Sequence, residues 1–226
     1  MAAVSDEATA AAIAKLEADG AAAATVASFA GQLARLSAGE LGMLPESELQ
    51  PIDELPDAER LEVDSEAIAD LLDQTVVIKL NGGLGTSMGL AGPKSLLEVK
   101  DGLSFLDITA RQITALRAEH GGARLPLVLL NSFRTREPSL AALAGYGPLS
   151  AELDPDFLQG RVPKLVDDGS LAPVAWPADP ELEWSPPGHG DIYPALVGSG
   201  MLAAMLAAGY RYAFVSNADN LGAALD

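Results

Sequence analysis

Apolar residues follow two rhythms along the chain, and the change from one to the other divides it. Ile13 and Leu16, then Val26, Phe29, Leu33 and Leu36, recur at intervals of three and four, the period of a helix with one buried face. Gly20 interrupts them, so two amphipathic helices are expected before about Leu44. Gly39, Gly42, Pro45, Pro51 and Pro56 then punctuate an acidic stretch, which reads as an extended connection to a short helix from Ser65 to Leu72. From Val76 the rhythm changes. Val76 to Leu80, Pro126 to Leu130 and Tyr212 to Ser216 are short continuous apolar runs, the mark of strands buried on both faces. Between them, Leu106 to Ala118 and Pro194 to Ala208 carry helix formers. Val197, Met201, Ala204 and Ala208 form one expected stripe of the second, with Gly209 closing it. Strand, helix, strand in this order predicts an α/β fold around a mainly parallel sheet with right-handed crossovers. The prolines crowded between residues 145 and 190 forbid long helices there and predict short strands and turns that shape a binding surface.

Charge follows the same division. The 226 residues carry 14 Lys and Arg against 32 Asp and Glu, a formal charge of −18. Residues 1–75 hold 16 acids and 3 bases, and residues 76–226 hold 16 and 11, so the segments stand at −13 and −5. The chain is therefore read as a helical segment with an acidic connection (1–75) and a larger α/β domain (76–226). Such a balance excludes nucleic acid as a partner, because sequence-independent affinity for it comes from Lys and Arg displacing counterions. The chain has no cysteine, which excludes disulfides, thiol nucleophiles and thiolate metal sites and fits a reducing compartment; cytoplasm is the expected location. Asp6 and Glu7 stand where a leader would be basic, and no run approaches the roughly 18 apolar residues of a membrane span, so no membrane association is expected. Oligomeric state is not set by these features.

Candidate chemistry collects where the strands end. The first strand runs into Asn81-Gly82-Gly83-Leu84-Gly85-Thr86-Ser87-Met88-Gly89, the second into Asn131-Ser132-Phe133-Arg134-Thr135 and the third into Asn217-Ala218-Asp219-Asn220. In open α/β sheets ligands bind beyond the carboxyl ends of the strands, so three polar strand ends point to one site. Glycines let backbone N–H groups converge on an anion without obstruction by Cβ, which suits a phosphate; a tight structural turn is the competing reading. The loop is not a P-loop, since Pro93 separates Gly92 from Lys94. A Rossmann fingerprint fits poorly, because Gly83, Gly85 and Gly89 miss its spacing by one, which leaves an NAD(P) oxidoreductase as the lesser alternative. Lys94, held by Gly92-Pro93 just past the glycines, is placed to neutralise a polyphosphate. Asp219 reads either as a turn or cap residue or as a ligand to Mg²⁺, which binds through one or two carboxylates plus phosphate oxygens. His189, set between Gly188 and Gly190, can donate to a ligand oxygen, whereas His120 reads as an exposed helix C-cap. No serine has an adjacent base, and the two histidines lack zinc-site spacing.

Taken together, Lys79 to Gly89, Gly92-Pro93-Lys94-Ser95, Asn131-Ser132-Phe133, Pro186 to Asp191 and Ser216 to Gly222 resemble, in order and spacing, the UTP–glucose-1-phosphate uridylyltransferases of the eukaryotic type. The resemblance covers the chain from about Lys79 onward and implies a Rossmann-like nucleotidyltransferase domain of the glycosyltransferase-A kind. It implies that Leu80, Asn81, Gly82 and Gly83 cradle UTP, with the two glycines also near the sugar phosphate. Lys94 would grip the phosphates as the catalytic residue, Gln159 would read uracil, and Gly188 would face the base. His189 would touch the sugar phosphate, and Asn217 and Asp219 would hold the nucleotide, Asp219 on Mg²⁺. Thr86-Ser87-Met88 departs from the Thr-Arg of related N-acetylhexosamine and bacterial sugar nucleotidyltransferases, which favours the UDP-glucose branch. The expected partners are UTP and glucose 1-phosphate. Members of the family continue past the position of Asp226 into further strands, a second phosphate-contacting lysine and a β-helical domain, so the chain reads as the family's N-terminal part. A non-catalytic nucleotide-binding module stays open beside the enzyme.

Overall fold

The computed structural model describes residues 6–40, 42–57, 60, 65–85, 89 and 92–225. These separate into two compact units, one from residues 1–65 with 162–185 and the other from 66–161 with 186–226. Contacts thus place 162–185, from within the expected 76–226 domain, in the unit of the N-terminal helices.

The larger unit is built on a four-stranded sheet in the order β5 (Asp156–Leu158), β4 (Leu127–Asn131), β1 (Thr75–Asn81), β8 (Tyr212–Asn217). Every pairing in it is parallel. β1, β4 and β8 appear where the apolar runs predict them, but only β1 and β4 are buried on both faces, since Tyr212 and Val215 of β8 are 54 % and 42 % exposed. β5 is one of the short strands expected in the proline-rich segment: it has three residues, and its pairing with Leu129 to Asn131 fixes its position. Alternation sorts the core into two layers. Val76, Ile78, Val128 and Leu130 pack with Ile192, Ala195, Met201 and Met205 of α6 (Ile192–Gly198) and α7 (Met201–Ala207). Val77, Leu127 and Leu129 pack on the other face with Leu72 of α3 (Ser65–Asp73) and with Leu106, Ala110 and Ile113 of α4 (Phe105–Glu119). The small antiparallel pair β2 (Glu98–Lys100) and β3 (Leu103–Ser104) leads into α4, and α5 (Arg136–Leu143) follows β4. Ser104 and Asp107 start α4 with a reciprocal capping box. His120 is its C-cap residue, half-buried where the sequence predicted exposure.

One expected element is corrected. The helix foreseen from Pro194 to Ala208 is two helices bent by 69° at Ser199-Gly200. Gly200 takes a left-handed φ of +79°, and Gly198-Ser199-Gly200 strings together three weak helix formers. The break changes the stripe: Val197 is 56 % exposed, while Ala195, Met201 and Met205 are buried. Among the described residues no single helix is long and apolar enough to cross a membrane.

In the smaller unit, α1 (Asp6–Ala18) and α2 (Ala23–Ser37) bury Ala12, Leu16, Phe29 and Leu33 together with Val162, Leu165 and Trp184. Val162 and Trp184 belong to the hairpin of β6 (Val162–Pro163) and β7 (Trp184–Ser185). Each such Leu or Phe contributes roughly 1.5–3 kcal/mol on burial. Lys15 Nζ donates to the Val174 carbonyl at 2.6 Å, pairs with Glu183 and lies 5.6 Å from the centroid of the Trp184 ring. Much of the proline-rich segment is therefore occupied in packing.

Candidate functional site

A cleft of about 330 Å³ opens beyond the carboxyl ends of the sheet in the larger unit. The strand order makes this the expected place: from β1 the chain steps to β4 and β5 on one side and then to β8 on the other, so the ends of β1 and β8 flank the switch point. All ten candidate residues line this cleft. Leu80, Asn81, Gly82 and Gly83 come from the end of β1, Lys94 from the turn beyond the glycines and Gln159 from the residue after β5. Gly188 and His189 come from the loop before α6, and Asn217 and Asp219 from the end of β8. Ser95, Leu130, Pro186 and Ala218 complete the lining. Leu130 could have been foreseen, since it pairs with Leu80 at the ends of adjacent strands and shares its face.

The glycine loop doubles back through two hydrogen bonds. Gly85 N–H donates to the Gly92 carbonyl and Lys94 N–H to the Gly83 carbonyl, each at 3.1 Å, with Leu84 bridged antiparallel to Pro93. This closure sets the Lys94 stem beside Gly83, where an added Cβ would stand 3.7 Å from Lys94 Cδ. At Gly82 the need for glycine is steric: a Cβ would fall 2.0 Å from Oε1 of Gln159. The Gln159 carboxamide thus lies against the cradle, across space that only glycine leaves open. Gln159 is held from below by its own N–H, which donates to the Asn131 carbonyl at 2.8 Å. Gly188 has a φ of +93°, a conformation that favours glycine, and the turn after it presents His189. Thr86, Ser87 and Met88, whose identity favoured the UDP-glucose branch, lie outside the described residues.

Asn81 contributes differently from its neighbours. It is 2 % exposed, and its Nδ2 donates to Oδ1 of Asn131 at 2.7 Å and to Oγ of Ser139 at 2.8 Å. Asn131 Nδ2 donates in turn to Oδ2 of Asp156 at 3.0 Å, where Arg136 Nε also pairs at 3.0 Å. This buried chain of side chains ties β1, β4, β5 and α5 together beneath the cleft; it was not foreseen, because nothing in local sequence says which polar groups will meet. Lys79, also buried, is held by Ser216 Oγ at 2.7 Å and the Ala223 carbonyl at 3.2 Å, and burial lowers its pKa. Its charge is not offered to the cleft.

Three groups lining the cleft stand apart. Among the described residues, no side chain pairs or hydrogen-bonds with the Lys94 ammonium, the His189 imidazole or the Asp219 carboxylate. The turn and cap reading of Asp219 fails on a specific bond: Asn220 Oδ1 accepts the Gly222 N–H at 3.1 Å, so the Asx turn belongs to the neighbour. Among the described residues no group of three or more His, Asp or Glu side chains gathers to hold a metal. A single exposed carboxylate at the edge of a cleft fits Mg²⁺, which keeps waters and completes its shell with phosphate oxygens, and not an ion that demands a cage made only of protein.

With this geometry in hand, similarity to known proteins can be stated. A family model described as UTP–glucose-1-phosphate uridylyltransferase matches residues 28–226. The chain is 47 % identical over 157 residues to a UTP–glucose-1-phosphate uridylyltransferase of Solanum tuberosum, covering 69 % of this chain and 32 % of that protein. Among solved structures it is similar to a mutant UDP-glucose pyrophosphorylase from Leishmania major in complex with UDP-glucose, with a TM-score of 0.87, 43 % identity, and coverage of 98 % of this chain and 46 % of the other. A protein from Trypanosoma brucei titled UDP-glucose phosphorylase aligns with a TM-score of 0.86 at 44 % identity, covering 98 % of this chain and 47 % of the other. The chain spans about a third of the length of the curated relative and just under half of the solved ones.

Proposed function

The chain belongs to the UTP–glucose-1-phosphate uridylyltransferase family, and we propose that its cleft binds UTP and glucose 1-phosphate and serves uridylyl transfer between them. One observation carries this reading. Ten residues drawn from five separated stretches of chain meet around one cleft, among them a glycine loop and a lysine and a carboxylate that have no side-chain partner among the described residues. An isolated glycine loop would not do as much.

In the proposed reaction a phosphate oxygen of glucose 1-phosphate attacks the α-phosphorus of UTP in line. The new P–O bond gives UDP-glucose, and the bond to the β-phosphate oxygen breaks to release pyrophosphate. Both reactants are anions and the chain carries −18, so local positive potential decides whether they can meet. Lys94 supplies that charge, and the N–H groups of the glycine loop supply dipoles at no cost in reorganisation. Gln159 and Gly188 meet the uracil base, His189 meets the sugar phosphate, and Asn217 orients the nucleotide. Asp219 would hold Mg²⁺, which neutralises phosphate charge when bound. No covalent intermediate on the protein is needed, in keeping with the absence of an activated nucleophile in the sequence. Catalysis then rests on positioning and charge.

The test is release of pyrophosphate from UTP and glucose 1-phosphate in the presence of Mg²⁺. Turnover that requires both substrates supports the proposal. UTP binding without turnover would reduce it to a nucleotide-binding module, and preference for NAD over UTP would overturn it.

A further inference from the structure

Asp191 occupies the N-cap position of α6, where an aspartate ordinarily accepts from N–H groups of its own first turn. Its side chain makes no such bond. The carboxylate reaches across instead, and Oδ2 accepts the backbone N–H of Gly160 at 2.5 Å, 31 residues away in sequence. Asp191 is 6 % exposed, and among the described residues no cation pairs with it. Burial pushes its carboxyl above the usual aspartate range, opposed in part by the Gly160 bond. A lone buried carboxylate is destabilising unless its hydrogen bonds repay it, so what those bonds hold is informative.

The carboxylate's bond to Gly160, together with the backbone bond of Asp191 itself, links the two loops that the reading above gives to the nucleoside. On one side, Gly160 directly follows Gln159, whose amide lies against Gly82. On the other, Asp191 N–H donates to the Gly188 carbonyl at 3.1 Å and closes the turn that presents Gly188 and His189. One residue thus joins two stretches of the larger unit, 159–160 and 188–191, that flank residues 162–185 in sequence. Neither bond touches the Lys94 turn or the glycine loop.

We propose that Asp191 is a positioning residue for the nucleoside half of the cleft, pinning the Gln159-Gly160 loop to the Gly188 turn so that the groups that meet the base are set before ligand arrives. Preset loops spare the ordering cost otherwise charged against affinity. The inference rests on the reading above, in which Gln159 and Gly188 meet the base while Lys94 and the glycines meet the phosphates.

Calorimetric titration of UTP and of inorganic tripolyphosphate, both with Mg²⁺, separates the two halves, since tripolyphosphate can use only the phosphate subsite. Asp191→Ala should weaken UTP about tenfold, a change of ~1.4 kcal/mol, and leave tripolyphosphate unmoved. Asp191→Asn keeps an acceptor oxygen and should hold UTP affinity within about threefold of wild type. Equal loss of both ligands in Asp191→Ala would mark a general structural role and overturn the inference. So would unchanged UTP affinity, or an Asn variant as weak as the Ala one. If Asp191→Ala does not fold by circular dichroism, Asp191→Glu carries the test: its carboxylate is displaced by one methylene, and a selective loss of UTP supports the inference while wild-type UTP affinity overturns it. A wild-type protein that cannot distinguish UTP from tripolyphosphate would sink the nucleotide reading itself, and this inference with it.

Discussion

Lys15 in the helical unit and Lys94 in the cleft are both half-buried ammonium groups, and the surroundings of each could hardly differ more. Lys15 is saturated: a carboxylate, a carbonyl and an aromatic ring receive its charge. Lys94 has a positioned stem, held by the closure of the glycine loop, and a head with no side-chain partner among the described residues. The contrast extends to carboxylates. Glu183 is paired with Lys15, and its Oε1 also accepts the Trp176 N–H at 2.6 Å, whereas Asp219 passes its turn bond to Asn220. In the helical unit polar groups complete one another and lock packing. In the cleft the fold spends its bonds on backbone and stems, and among the described residues no side chain partners the charged ends of Lys94 and Asp219.

Substitutions test this contrast, the largest effect first. Lys94→Ala should lower the rate of pyrophosphate release by about 10²- to 10³-fold, the size of loss seen when one preorganised electrostatic contact is removed. Its thermal midpoint should stay at the wild-type value; a fall in stability in place of turnover would put Lys94 in the same class as Lys15. Asp156→Ala acts beneath the cleft, where it strands the Asn131 amide and Arg136. Urea denaturation should show a loss of about 1–3 kcal/mol.

Gly82→Ala should separate binding from folding. The new Cβ collides with the end of a flexible glutamine, so the fold can yield while Gln159 cannot keep its place. UTP affinity should fall about tenfold with little change in melting temperature. Unchanged affinity would mean that the Gln159 amide is not where the base is read. Lys15→Ala should have the smallest effect, a minor drop in melting temperature and none in turnover. Glu183 adds a signature of sign: the hydrogen bond from Lys15, then that from Trp176 N–H, holds its carboxyl below the usual glutamate range. Its contribution is therefore full above the ordinary glutamate pKa and is lost as pH falls through the lowered value. The melting difference between wild type and Lys15→Ala should shrink on acidification, and one that persisted unchanged would show that the pair is not its source.

What could be read in advance varied with how local the determinant is. β1 and β4 announce themselves because strands covered on both faces need unbroken apolar runs, α1 and α2 because one buried face imposes a period, and α4 because helix formers fill it. The glycine loop, Lys94, His189 and the polar strand ends at Asn81, Asn217 and Asp219 stand out in local motifs, whereas Leu80, Gln159 and Gly188 were singled out only by the family resemblance. β5 falls in a segment where short strands were expected, but its position was not given, because a three-residue strand exists only through its partner. The bend between α6 and α7 was missed because a stripe of apolar residues outweighed Gly198-Ser199-Gly200.

Composition, period and motif alone were enough to predict an α/β sheet led by helices, a glycine loop followed by its lysine, and polar groups at three strand ends, because each depends on neighbours a few residues apart. Only the tertiary structure decided that Gln159 lies over Gly82, that Asn81 turns into a buried network, that residues 162–185 pack on the N-terminal helices and that Asp191 forgoes its own helix for Gly160. Those are contacts between residues tens of positions apart, and their partners are selected by how the strands stack and cross, which no local pattern encodes.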